Sequence, residues 1–349
     1  MLRCAPAFLV LLASCSMFAV APSTQDPAPG GNVGDAPAGT IPAPPTPTRQ
    51  APIAYGWHVV GKSADQVETP ALPNPVPVAF LYEQDAGRFP RFYAGKEEHG
   101  GIPQRANIAA HLDELSRDIQ RDIPDPNFNG WAVIDYESWD PVWELTKPEY
   151  REASKQHTRR TAGPRAAEDI ERLAKASYES AAKRFMLETI RHCKKLRPRA
   201  KWGYYALPWG TYAPHQRKTQ WLWDASDALY PCLYADKEGL PPGQSPNGSL
   251  QRDARVYEGD LRLRLQIAER LGAGKPVIPI LWVRYDGIGS NLFGKFVTDA
   301  DLEIMLRVPR EERVDGIMFW NTATNPGEAG QLRRFISEKL TPALPPAGR

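Results

Sequence analysis

Past residue 52 the chain alternates short apolar runs with longer amphipathic ones. The apolar runs are VPVAFLY (76–82), GWAVIDYE (130–137), KWGYYALP (201–208), ALYPCLY (228–234), PVIPILWVRYD (276–286) and VDGIMFWN (314–321). Each has strand length and is rich in β-branched or aromatic residues. Helical spacing falls between them. Ile108, Leu112, Leu115 and Ile119 recur at i, i+4, i+7 and i+11 behind a capping Asn107, and Tyr178, Ala182, Phe185, Thr189 and Cys193 mark one face of a longer helix. Alternation of this kind predicts an α/β fold with a parallel sheet closed into a TIM-like (β/α) barrel, a doubly wound open sheet being the alternative.

Most of these strands end in polar or aromatic residues: Tyr82, Asp135 with Glu137, Tyr204 and Tyr205, Tyr234, Tyr285 with Asp286, and Trp320 with Asn321. In a (β/α) barrel all strand C-termini open on one face, where these side chains would converge. The acids stand out. In an extended strand Asp135 and Glu137 project to the same side with Cα atoms about 6.5 to 7 Å apart. Like charges so placed raise the pKa of at least one, which costs stability unless that proton has a task. Acids flanking a glycosidic bond usually come from different strands, whereas this pair approaches from one side. It suits an acid whose neighbour orients a group of the substrate itself, a 2-acetamido oxygen that attacks the anomeric carbon.

Composition narrows the classes. With 43 basic and 41 acidic side chains the formal charge is +2, which gives no polycation for nucleic acid. Ten tryptophans and thirteen tyrosines suit sugar rings, although large cores use them too. No C-x-x-C pair, H-E-x-x-H helix or phosphate-binding glycine loop occurs, so no metal site is expected, and His111 reads as a helix-shoulder residue rather than a ligand. Cys193 and Cys232 are the only cysteines beyond the leader, so no disulfide framework is expected. The opening MLRCAPAFLVLLASC resembles a bacterial lipoprotein signal, its Leu-Ala-Ser-Cys implying cleavage after residue 14 and acylation of Cys15. Residues 15–52, poor in large apolar side chains, read as a Pro/Ala-rich tether reaching up to roughly 90 Å. Export to the cell envelope, with the membrane met only through the lipid, is the expectation.

The stretch GWAVIDYESWDPVW resembles the hyaluronidase signature, and FLYEQDAGRFP, GGIPQRANIAAHLDELSRDI, YESAAKRFMLETIRHCKKLRPRAKWGYYALP, ALYPCLY, VRYDG and VTDADLEIMLRVPREERVDGIMFW resemble further blocks in the same order. The resemblance implies an endo-β-N-acetylhexosaminidase on a distorted barrel, cleaving hyaluronan or a related polysaccharide with retention by substrate assistance. It implies Glu137 as the acid, Asp135 as the residue that positions the acetamido group, and Tyr205 and Tyr234 as its holders. Tyr82, Trp320 and Asp286 would bind substrate. No cofactor is implied, and a monomer is expected, with one barrel domain over residues 53–340 and a disordered tail at 341–349. A glycan-binding protein that does not cut is the alternative. Tyr136 stands where the family usually has Trp, Asp140 replaces an Arg, and the segment from Trp143 to Ser154 is shorter. Arg88, Arg91, Arg105, Arg262 and Arg284 are the cations that could face a polyanion.

Overall fold

The computed structural model describes residues 52–206, 217–235, 254–286 and 292–346. Its strands are β1 (Ala54–Val60), β2 (Pro75–Val76), β3 (Val78–Tyr82), β4 (Arg91–Tyr93), β5 (Lys96–Glu98), β6 (Trp131–Asp135), β7 (Lys201–Tyr204), β8 (Ile280–Leu281) and β9 (Gly316–Thr322). The α-helices that cover them are α1 (Ile108–Asp122), α2 (Pro148–Ala162), α3 (Ala167–Leu196), α4 (Gln220–Ala225), α5 (Ala254–Gly272), α6 (Asp299–Glu311) and α7 (Pro326–Phe335).

Parallel pairings connect the strands in a ring. β3 pairs with β6 and β6 with β7. Parallel bridges then carry the ring onward, Tyr205 to Tyr230, Leu229 to Val277 and Cys232 to Ile280. β8 pairs with β9, β9 with β1, and β1 with β2, which runs through Pro77 into β3. This is a distorted (β/α) barrel, closed where a doubly wound sheet would be open. The distortion lies at 228–235 and 276–286, which hold their neighbours through short contacts, three prolines (Pro231, Pro276 and Pro279) having no N–H to give. β4 and β5 form a separate antiparallel hairpin.

Strand β1 has no counterpart among the apolar runs identified in the sequence. Its AYGWHVV interrupts the apolar pattern with Gly56 and His58, both of which share the inward parity of the barrel lumen with their register partners Met318 and Trp320. Small residues are required there. A Cβ on Gly56 would come within 2.8 Å of the Trp131 ring, and one on Gly316 would overlap that same ring. Trp131, Val133, Phe80, Tyr230, Ile278, Ile280 and Met318 therefore plug the lower barrel, and the alternate residues, among them Leu81, Ile134, Trp202, Leu281 and Phe319, pack outward against the helices.

The helices follow their sequence signals. Asn107 caps α1 by accepting from the Ala110 N–H at 3.1 Å. The α3 stripe of Tyr178, Ala182, Phe185, Thr189 and Cys193 is buried throughout. His111 sits deeper than a helix shoulder: it is fully buried, accepting from the Arg88 N–H at 2.8 Å through Nδ1 and meeting Thr189 Oγ1 at 2.9 Å. Burial holds its pKa down at about 3, so it serves as a neutral internal connector. Cys193 and Cys232 are buried free thiols. Near the C-terminus, Thr341–Ala343 add a helical turn and Leu344 is buried. Among the described residues no helix is long and apolar enough to cross a membrane. Cys15 and the tether lie outside the described residues.

Candidate active site

Register alone brings most of the candidate residues to one level. Tyr82, the last residue of β3, pairs with Asp135, the last of β6. The Tyr205 N–H donates to Ile134 O at 2.9 Å, which seats Tyr205 one step further round the ring. Tyr82 and Trp320 meet across the β1 side, the indole Nε1 donating to the Tyr82 hydroxyl at 2.8 Å. Tyr234 closes the ring, its aromatic centroid 6.2 Å from Tyr205 and 6.0 Å from Trp320, stacked on the latter. Asp286 is buried next to the 228–235 segment, its N–H bonded to Ala235 O at 2.9 Å.

Two tyrosines of the strand-end set lie elsewhere. Tyr204 has outward parity and donates its hydroxyl to Met186 O in α3 at 2.9 Å. Tyr285 also faces outward, bonding Asp301 at the start of α6 and accepting from the Thr298 N–H at 3.2 Å. Adjacent residues of a strand cannot both enter the lumen. The tryptophans that follow the acids are likewise structural. Trp139 Nε1 donates to Pro90 O at 2.7 Å, and Trp143 Nε1 donates to Glu171 at 3.1 Å, both rings being buried against α3.

The acid pair occupies the mouth of the lumen, each side chain keeping part of its surface open. Burial raises the Asp135 pKa, and the Glu83 carboxylate raises it further. Glu137 is raised well above the usual carboxylate range, first by burial, then by Asp135, then by Glu83 and Cys232, with Lys147 opposing. At least one of the two therefore keeps its proton near neutrality. Beneath them the Tyr205 hydroxyl donates to Cys232 Sγ at 3.4 Å.

Glu83 was not legible as a site residue. It follows β3 in the loop sequence Glu-Gln-Asp, and only the fold carries it to the end of β6, where its Oε2 accepts from the N–H groups of Glu137 at 2.9 Å and Ser138 at 2.8 Å. The replacements in the signature are accommodated locally. Tyr136 packs outward and donates its hydroxyl to Ala86 O at 2.7 Å, and Asp140 accepts from the Val142 N–H at 2.7 Å, burial lifting its pKa to about 7.

The five arginines do not form a basic strip. Arg88 pairs with Glu114, Arg91 with Glu83 and Glu98, Arg105 with Glu97, and Arg262 with Glu258, Glu311 and Glu312. Arg284 is buried, its guanidinium 3.9 Å from the Phe296 ring centroid and donating to Gly294 O at 2.6 Å. Among the described residues no group of acids, histidines and cysteines has metal-site geometry. A cavity of about 410 Å³ opens beside Tyr82 and His58, and neither acid of the pair lines it.

A parallel barrel with two raised carboxylates at the C-terminal end of one strand, ringed by tyrosines and a tryptophan, has the architecture of a glycoside hydrolase. Comparison with known proteins identifies the family. The sequence model described as Hyaluronidase matches residues 62–344, and the chain belongs to that family of glycoside hydrolases. It is 38% identical over 288 residues to a chondroitin hydrolase of Caenorhabditis elegans, covering 76% of this chain and 61% of that one. A crystal structure of bee venom hyaluronidase superimposes with a TM-score of 0.69 at 25% identity, over 83% of this chain and 99% of that one. The bee venom enzyme in complex with a hyaluronic acid tetramer gives 0.66 at 27% identity, over 76% and 86%.

Proposed function

We propose that this chain is an endo-acting glycosidase that cuts hyaluronan, chondroitin or a related N-acetylhexosamine polymer with retention of configuration. The observation that carries the reading is the acid pair at the end of β6, Asp135 on its last residue and Glu137 just beyond, raised in pKa and set beside Tyr82, Tyr205, Tyr234 and Trp320. The relatives support the substrate class: one is named for chondroitin, and one structure holds a hyaluronic acid tetramer.

In this mechanism Glu137 gives its proton to the glycosidic oxygen as the C1–O bond breaks. The acetamido carbonyl oxygen of the same sugar attacks C1 from the opposite face, forming a cyclic oxazolinium ion. Asp135 holds the acetamido N–H and stabilises the positive charge that develops there, and the hydroxyls of Tyr205 and Tyr234 fix the group in place. Water then attacks C1, giving its proton to the Glu137 carboxylate, and the ring reopens to the acetamide with two inversions and net retention. Tyr82 and Trp320 wall the sugar site, and Asp286 supports the wall.

Incubation of the full chain with hyaluronan, chondroitin and chitin oligomers, with products read by mass, tests the reading. New reducing ends are expected from at least one polymer. Glu137→Gln should lower kcat by about 10²- to 10⁴-fold with its circular dichroism unchanged. Intact polymer after long incubation, with measurable binding, would replace the enzyme by a glycan-binding protein. Envelope anchoring through Cys15 belongs to the same reading, and fatty-acid labelling of the protein should disappear in Cys15→Ala.

A further inference from the structure

We infer that Glu83 is a positioning residue for the Glu137 acid, gripping the Glu137–Ser138 segment from the neighbouring strand. The inference rests on the proposed role of Glu137. The grip begins where β3 and β6 end, the Glu83 N–H donating to Asp135 O at 3.0 Å and extending the ladder by one residue. Its carboxylate then folds over the end of β6. Oε2 accepts from the Glu137 N–H at 2.9 Å and the Ser138 N–H at 2.8 Å, and Oε1 accepts from Ser138 Oγ at 2.5 Å. Arg91 holds Oε1 from the other side at 3.1 Å and is itself fixed by Glu98 at 2.8 Å.

These contacts solve a definite problem. β6 ends at Asp135, so Glu137 lies beyond the last strand pairing, where its backbone N–H would lack a carbonyl partner. A neutral amide oxygen could take both N–H groups, but it would bring no charge and no second oxygen for the serine hydroxyl. The carboxylate takes both on Oε2 and the serine hydroxyl on Oε1, and charge-assisted bonds of this kind are about twice as strong as neutral ones. The arginine offsets the burial of that charge: its side chain is 9% exposed and Glu83's is 17%. A general acid displaced by about 1 Å loses on the order of 100-fold in rate, so a clamp on its own peptide unit acts directly on catalysis.

The groups that face Glu137 are Asp135, Tyr82, Glu83, Cys232 and Lys147. Those that face Glu83 are Arg91, Asp135, Glu137, Tyr136 and Tyr150. Removing the Glu83 charge therefore lowers the pH at which Glu137 surrenders its proton, and removing the Arg91 charge raises it.

The test measures kcat, KM and the alkaline limb of the kcat–pH profile for the full-length parent, Glu83→Gln, Glu83→Asp, Arg91→Met and Glu137→Gln on the polymer the parent cuts. Glu83→Gln should lose about 10- to 100-fold in kcat with KM within about 3-fold, and its alkaline limb should move to lower pH. Glu83→Asp, which keeps the charge and loses the reach, should lose kcat with the limb in place. Arg91→Met should move the limb to higher pH, and it keeps the inference testable should Glu83→Gln fail to fold. An active Glu137→Gln would overturn the reading on which the inference rests. An inactive Glu137→Gln beside a Glu83→Gln with parental kcat and limb would overturn the inference alone, as would a limb that stays put in both Glu83→Gln and Arg91→Met.

Discussion

The two ends of the barrel are built from the same strands and obey opposite rules. At the lower end the lumen is filled by carbon: Trp131 lies against Gly56 and Gly316, with Val78, Tyr230 and Ile278 around it. At the upper end, two pairs further along β6, the lumen holds Asp135 and then Glu137, neither with a cation hydrogen-bonded to it among the described residues. The lower end gains free energy by excluding water. The upper end forfeits some, because carboxyl groups in a poorly hydrated mouth repel each other and resist ionisation. Stability and chemistry are thus separated along one strand by about 13 Å, four residues of extended chain.

Breaking the lower end should cost most. Trp131→Ala empties the plug and should destabilise by about 3 to 5 kcal/mol in a denaturant titration, while the alkaline limb of the kcat–pH profile of the folded fraction stays in place. A shifted limb would show that the ends are coupled. Gly316→Val tests the same plug by crowding: overpacking against the Trp131 ring should cost about 1 to 3 kcal/mol, and an unchanged melting temperature would show that the indole has room to move.

The upper end should respond with the other sign. Asp135→Asn removes one of two repelling acids, so it should abolish activity and raise stability at pH 8 by about 1 kcal/mol, roughly 2 °C in Tm. Because burial and Glu83 raise the native pKa of Asp135, the wild-type residue is fully tolerated below the unfolded value near 4 and costs stability as pH rises through the native one. The gain should therefore vanish below about pH 4. A variant no more stable than the parent at pH 8 would mean that unseen partners already neutralise the pair.

His58 lies between the two ends, stacked on Phe80 at 4.6 Å, and should have no effect at neutral pH. Burial depresses its pKa to about 4, so the stability of its neutral form is present above the unfolded value near 6.5 and lost as pH falls through about 4. His58→Phe should move the acid-unfolding midpoint to lower pH, the linkage amounting to at most about 3 kcal/mol and only under acid conditions. A midpoint that rises would show that the imidazole has a bonding role.

Much of this was open to reading before the fold was known. Hydrophobic periodicity located α1 and the inner stripe of α3, and it located β3, β6, β7 and β9, because these pack along one repeating face or between two apolar layers. The acid pair was visible because Asp135 and Glu137 stand two residues apart where an apolar strand ends, although β6 stops at Asp135 and Glu137 lies just beyond it. β1 was missed for a physical reason: its lumen positions are Gly56 and His58, small and polar because a ring from β6 occupies that space and another stacks above it. Tyr204 and Tyr285 were read as facing the cleft, although each neighbours a residue with lumen parity and must point the other way.

Sequence alone thus determined the order of most strands and helices and the closeness of two acids to one strand end, since both follow from local pattern. Tertiary structure alone decided which aromatic residues share the mouth with those acids, which arginines are already paired, and that Glu83 reaches across to hold the Glu137–Ser138 backbone. Those contacts join residues up to 238 positions apart, as between Tyr82 and Trp320. Such contacts leave no mark on the local pattern, because they exist only once the ring of strands has closed.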